Sequence, residues 1–257
     1  MKQLIASLAL LCLVPLSACA RGEPLLDVRV VDLDQGNTLS RIPYAGRDYI
    51  EGRPGHRFSV SLHNTTGERV LAVLSVDGVN AISGQTASAS QAGYVLEPWQ
   101  QVEIHGWRKS YSDIAEFYFT DLPDSYAART GRPVNVGVIG VAAFRERRPE
   151  PIAYEPTPMA TPMEKSAADG VASGGLARRA ESAAPSATAQ QIGTGHGQRR
   201  YDPVTQTQFE RESLRPNQQI ALYYDSHEAL VARGVISEWR YSSQPEPFPI
   251  GFVPDPQ

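Results

Sequence analysis

The densest chemistry in the chain is aromatic. Tyr94, Trp99, Trp107, Tyr111, Phe117, Tyr118, Phe119 and Tyr126 fall within one short stretch, and Trp107-Arg108-Lys109 sets two cations beside an indole. Flat rings with hydrogen-bond donors beside them suit a sugar face. Trp107, Arg108, Lys109 and Tyr111, together with His196, therefore form the candidate ligand-binding set. The competing use of these rings is burial, because aromatic side chains supply much of a core's area. Strand alternation over Phe117-Tyr118-Phe119 also sends the middle ring to the opposite face from its neighbours. Core filling is the expectation for most of the cluster.

His196 sits in Gly193-Thr194-Gly195-His196-Gly197-Gln198-Arg199-Arg200. Glycines bring backbone amides close to an anion, and two arginines add charge. No helix start follows, so this is neither a Rossmann nor a P-loop pattern. A flexible re-entry of the chain is expected, with His196 held in a tight glycine turn as the variant of interest. Asp32-Leu33-Asp34-Gln35-Gly36-Asn37 resembles the start of a calcium loop. The bidentate Glu of the twelfth loop position is replaced by Pro43, and a solvated turn is expected. The histidines (His56, His63, His105, His196 and His227) form no H-E-x-x-H or H-x-H pair, and no G-x-S-x-G elbow occurs. No catalytic residue, metal ligand or cofactor is assigned.

The net charge of −4 carries no basic nucleic-acid footprint. The two cysteines, Cys12 and Cys19, both lie near the N-terminus, which excludes a disulfide framework and a four-thiolate zinc site. Met1-Lys2-Gln3 precedes an apolar run from Leu4 to Leu16. As a helix that run spans about 20 Å, too short for a hydrocarbon layer of roughly 30 Å. It reads as a signal peptide over 1–18. Leu16-Ser17-Ala18-Cys19 resembles the lipobox of bacterial lipoproteins. The resemblance implies diacylglycerol on the Cys19 thiol, cleavage before it and acylation of the new amine. With Ala20 rather than Asp next, it implies the outer membrane, facing either the periplasm or the cell surface. Two or more acyl chains hold a protein stably on a bilayer. Ala18-Cys19-Ala20 also fits ordinary signal-peptidase cleavage, which would give a soluble periplasmic or secreted protein.

The mature chain reads as mainly β: an antiparallel β-sandwich over 24–148, a disordered linker over 149–198, a short C-terminal α/β segment over 199–243, and a proline-rich tail over 244–257. Alternation over 57–63 and an apolar run over 69–76, separated by turn residues Asn64–Gly67, predict a hairpin. Leu26–Val31, Gln101–Ile104, Ala115–Phe119 and Pro133–Phe144 are further strands, the last with a change of phase that predicts a bulge or a doubly buried strand. Residues 155–190 hold ten Ala and no aromatic, too little apolar area to offset chain entropy. Gln219–Tyr224 predicts a strand added to the sandwich. Asp225-Ser226 then caps a helix over His227–Arg233 that Gly234 ends.

Leu74–Gly78, Ile104–Ser110, Gly137–Val141 and Gly195–Gly197 together resemble segments of a group of bacterial envelope proteins of unknown function; that resemblance implies no activity. The sequence thus supports a non-enzymatic, lipid-anchored module whose partners are the membrane, through its N-terminal lipid, and an envelope protein or glycan. The alternative is an envelope hydrolase with a dispersed site near His105 and His196. A third idea gives the proline tail a docking role in a surface assembly.

Overall fold

The computed structural model of the protein describes residues 23–148 and 190–237. In chain order the strands are β1 (Leu26–Asp32), β2 (Asn37–Thr38), β3 (Ile42–Tyr44), β4 (Arg47–Glu51), β5 (Arg57–Asn64), β6 (Val70–Val76), β7 (Val79–Asn80), β8 (Tyr94–Leu96), β9 (Gln101–Ile104), β10 (Gly106–Arg108) and β11 (Asp113–Asp121). Helix α1 (Tyr126–Arg129) follows, then β12 (Val138–Arg145), β13 (Ile192–Tyr201), β14 (Gln218–Asp225) and helix α2 (His227–Ala232). They form two sheets. The first runs β2-β1-β5-β11, with β9 on β5, β10 on β11, and β13 along the other side of β11. The second runs β3-β4-β14-β12-β6, with β7 and β8 both on β6. All pairings are antiparallel except β4 with β14. This is the mainly β sandwich that the alternation foretold.

The apolar set of each strand faces the space between the sheets. In β1, Leu26, Val28 and Val30 point inward, each at most 1% exposed, and the intervening residues point out. Phe58 stacks on Phe117 and Phe119 with ring centroids 5.3 and 4.3 Å apart, and Phe119 meets Tyr224 from the facing sheet at 5.3 Å. Each such ring contributes roughly 1.5–3 kcal/mol by leaving water. Strand β6 is buried on both faces. Its outer residues Leu71 and Val73 pack with Phe144 beneath Val95 and Phe209.

Two turns place the chemistry. Asp77 and Gly78 have φ +53° and +70° between β6 and β7, the doubly left-handed pattern of a tight hairpin that an Asp-Gly pair supplies. At the C-terminal end, Ser226 caps α2 by accepting from the Ala229 amide, and Gly234 at φ +72° closes it.

Several expectations are corrected. Strands β5 and β6 do not pair; they lie in opposite sheets. Between them the chain crosses over at buried Asn64, whose Nδ2 donates to the carbonyls of Glu68 and Glu97 and whose Oδ1 accepts from Thr66. The strand expected from Pro133 begins only at Val138, because Pro133–Asn135 is a single 3₁₀ turn and Gly137 has φ +87°. The expected linker ends earlier than 198: Ile192 already pairs with Asp121. Residues 149–189, the tail over 244–257 and Cys19 lie outside the described residues.

Candidate functional site

Strand β13 joins the chemistry. Its Gly-x-Gly-x-Gly stretch is not a flexible turn but a strand whose glycines let the outer face of the sheet close on it. A Cβ on Gly195 would lie 2.2 Å from the Tyr118 ring, and one on Gly197 would lie 2.7 Å from the Glu116 carbonyl. Tyr118, the middle residue of Phe117-Tyr118-Phe119, thus covers the bare backbone opposite it in the ladder.

The opposite face of β13 carries Thr194 and His196. His196 pairs with Phe117 and lies against two rings. It is nearly parallel to Trp107 (6.4 Å, 11°) and tilted on Tyr126 (5.4 Å). Trp107 is 2% exposed and meets Phe117 edge-on at 4.8 Å, so it forms the wall of the site and part of the core at once. His196 itself keeps an exposed edge. Burial against its neighbours lowers its pKa below the ordinary imidazole value, with the charge of Lys109 next and that of Arg129 smaller. Arg132 sits 5.8 Å from the Tyr126 ring. The result is an exposed imidazole and a half-buried phenol backed by a buried indole, with cations around them.

Arg108 leaves this group. Its guanidinium binds the carbonyl and carboxylate of Asp202, and its side chain is 8% exposed. His105 sits with Nδ1 3.4 Å from Asp202 and Nε2 3.5 Å from Glu103. The Tyr94 hydroxyl lies buried nearby, and burial raises its pKa. These residues form a structural ionic cluster. The predicted five are therefore divided: Trp107, Lys109 and His196 share one site, Arg108 is consumed by Asp202, and Tyr111 stands exposed on the β10–β11 connection. His105 and His196 flank Phe117 through the backbone but have different side-chain partners.

The far end of β13 is held by two buried carboxylates. Asp77 accepts from the Gly137 amide at 2.9 Å, the Thr194 amide at 2.7 Å and the Tyr224 hydroxyl at 2.5 Å. The Thr194 hydroxyl lies 2.6 Å from Tyr224 Oη. Burial raises the Asp77 carboxyl to about 6 against the opposing hydrogen bond from Tyr224. Asp225 accepts from the amides of Gln191, Ile192 and Ser226, and binds Arg233 at 2.6 Å. Burial raises its pKa, and those donors oppose the rise. Asp77 and Asp225 therefore receive the Thr194 and Ile192 amides along one edge of β13, whose other edge pairs with β11.

The Asp32–Asn37 turn is not solvated at its first residue. Asp32 is fully buried, caps the amides of Asp34 and Gln35, and lies 2.8 Å from His56 Nδ1. Asp34, Asp32 and His56 could each offer one ligand atom to a cation. Arg57 opposes that use: its amide and guanidinium both bind Asp34 and hold that carboxyl below its usual range. The cluster fastens a turn.

Three grooves of the surface are lined by none of the predicted ligand residues; the roomiest, about 590 Å³, runs past Leu39, Pro43, Arg53 and Val235. Sequence reading counted Tyr126 in the aromatic cluster but not among the ligand-binding residues, and it missed Arg129 and Arg132. Their signal was Ser125, which caps the four-residue helix α1 through the Ala128 amide. No protein-family model matches the chain, no curated protein matches it, and no solved structure matches it.

Proposed function

We propose that the protein is a lipid-anchored cell-envelope binding module, held by acylated Cys19 on the outer membrane, that takes an anionic glycan on the Tyr126–His196 surface. The observation that carries this reading is the aromatic pair itself, exposed His196 and half-buried Tyr126 against buried Trp107, ringed by Lys109, Arg129 and Arg132. Flat rings receive a sugar face, and the cations favour a carboxylate or phosphate on it. The site lies toward the end of the sandwich opposite the N-terminal entry, since His196 pairs with Phe117, Phe117 with Phe58, and Phe58 with the last residue of β1. A binding surface aimed away from the anchor suits an envelope partner.

The hydrolase reading has weaker support. Asp202, the carboxylate beside His105, is already bound by Arg108, which leaves it poorly placed to act as a base. Calorimetric titration with acidic envelope oligosaccharides tests the proposal. Wild type binds, and His196→Ala, which removes a ring, and Lys109→Ala, which removes a charge, each weaken binding about tenfold, ~1.4 kcal/mol. Equal affinity of all three proteins overturns it. Acyl labelling that is lost in Cys19→Ser tests the anchor separately.

A further inference from the structure

The chain enters the sandwich at one end. The Leu25 and Leu26 amides are capped by Gln218, and the turn after β5 clasps the entry through Thr65, whose amide binds the Leu25 carbonyl and whose hydroxyl binds that of Pro24. Between Cys19 and Leu25 there are only five residues, a reach of about 20 Å when fully extended. Whatever end of the molecule meets a bilayer through that tether must be this one.

Two apolar side chains project from it. Trp99, on the connection from β8 to β9, is 64% exposed; Leu214, beside the end of β12, is 95% exposed. Trp99 is also held in an unfavourable backbone state. The turn Glu97-Pro98-Trp99-Gln100 closes with the Gln100 amide on the Glu97 carbonyl, and Trp99 takes φ +61°. A proline followed by a left-handed residue is the arrangement in which glycine is the natural occupant. A bulky residue there is a strained outlier, and such outliers mark sites where something other than stability is served. The strain points the indole outward beside Gly67, away from any core. Most of the surrounding charges pair among themselves, Arg69 with Glu97 and Glu146, Arg145 and Arg148 with Glu68, and Arg147 with Glu210. A net field toward anionic lipid is therefore not the attraction. An amphipathic indole favours the headgroup level of a bilayer on its own account.

We infer that this end of the sandwich rests on the lipid surface, with Trp99 and Leu214 seated at headgroup depth. The inference builds on the anchoring proposed above. It is tested on the full chain, purified from membranes and reconstituted in phosphatidylcholine vesicles carrying a quencher near the headgroup. Mass spectrometry of the N-terminus and vesicle flotation are run on the same sample. Tryptophan emission of the wild type is quenched and blue-shifted. Trp99→Gly, which suits the turn and should unfold no more readily than wild type, loses that quenching while still floating with the vesicles. Leu214→Ser reduces it. Acylated protein that floats but is quenched equally with and without Trp99 overturns the seating and leaves the anchor intact. A chain without acyl groups that stays off the vesicles overturns both.

Discussion

Asp77 is the residue whose chemistry is most out of the ordinary. Its folded-state pKa of about 6 lies above the usual 3.8 because burial penalises the carboxylate. A raised folded pKa means the stabilising contribution is complete below pH about 4. It declines as pH rises through about 6, by about 3 kcal/mol in all, and is level above that. Urea unfolding of wild type and Asp77→Asn at pH 4 and pH 7 should differ in this slope, which the variant lacks. The variant should also cost about 1–3 kcal/mol, because one amide oxygen cannot accept from both Gly137 and Thr194; identical pH slopes would refute the assignment. At His196 the lowered pKa implies a neutral ring at neutral pH. Affinity for an anionic glycan should rise as pH falls through that depressed value, and His196→Gln should bind with no such dependence. Asp77-Gly78 was legible in the sequence as a turn. That its carboxylate faces inward was not, although the unbroken apolar run Val70–Leu74 leading into it is what drags the turn into the interior.

At the level of elements, β13 shows most clearly why spacing misleads. Gly193, Gly195 and Gly197 resemble a loop because glycine disfavours a strand in isolation. Here Gly193 is demanded by the Ser125 and Val136 side chains, Gly195 by Tyr118 and Gly197 by the Glu116 backbone, contacts that no local pattern encodes. Gly195→Ala should destabilise by about 1–3 kcal/mol through the displaced ring. Tyr118→Ala in the same chain should recover much of that, and a thermodynamic cycle of the four proteins would reveal strict additivity if the ring is not responsible. The C-terminal strand and helix were readable to within a residue or so, since Ser226 and Gly234 punctuate them. Their position was not, because the parallel pairing of β14 with β4 spans over 170 residues of sequence. Arg233→Ala should cost about 3–5 kcal/mol by abandoning Asp225 as a buried, unpaired charge; a chain that melts like wild type would show that the carboxylate is served by its backbone donors alone.

For the molecule as a whole, period-2 alternation and the absence of long amphipathic helices sufficed to announce a sandwich. The division between sheets was hidden, because β5 and β6 look like a hairpin and are instead a crossover fastened by Asn64. Residues 190–237 contribute β13 to one sheet and the centre of the other. A chain ending at residue 148 should therefore show no cooperative thermal transition, and adding residues 190–237 as a separate chain should restore one. A sharp transition in the shortened chain by itself would contradict this.

The place of β14 has a consequence for how the chain is made. Synthesis runs from the N-terminus, and the strand that must slide between β4 and β12 is among the last ordered pieces to appear. Until residue 225 has emerged, one sheet has a gap at its middle and the interior cannot seal. The polypeptide is thus kept from completing its core for nearly the whole of translation, and only the last ordered strand closes it.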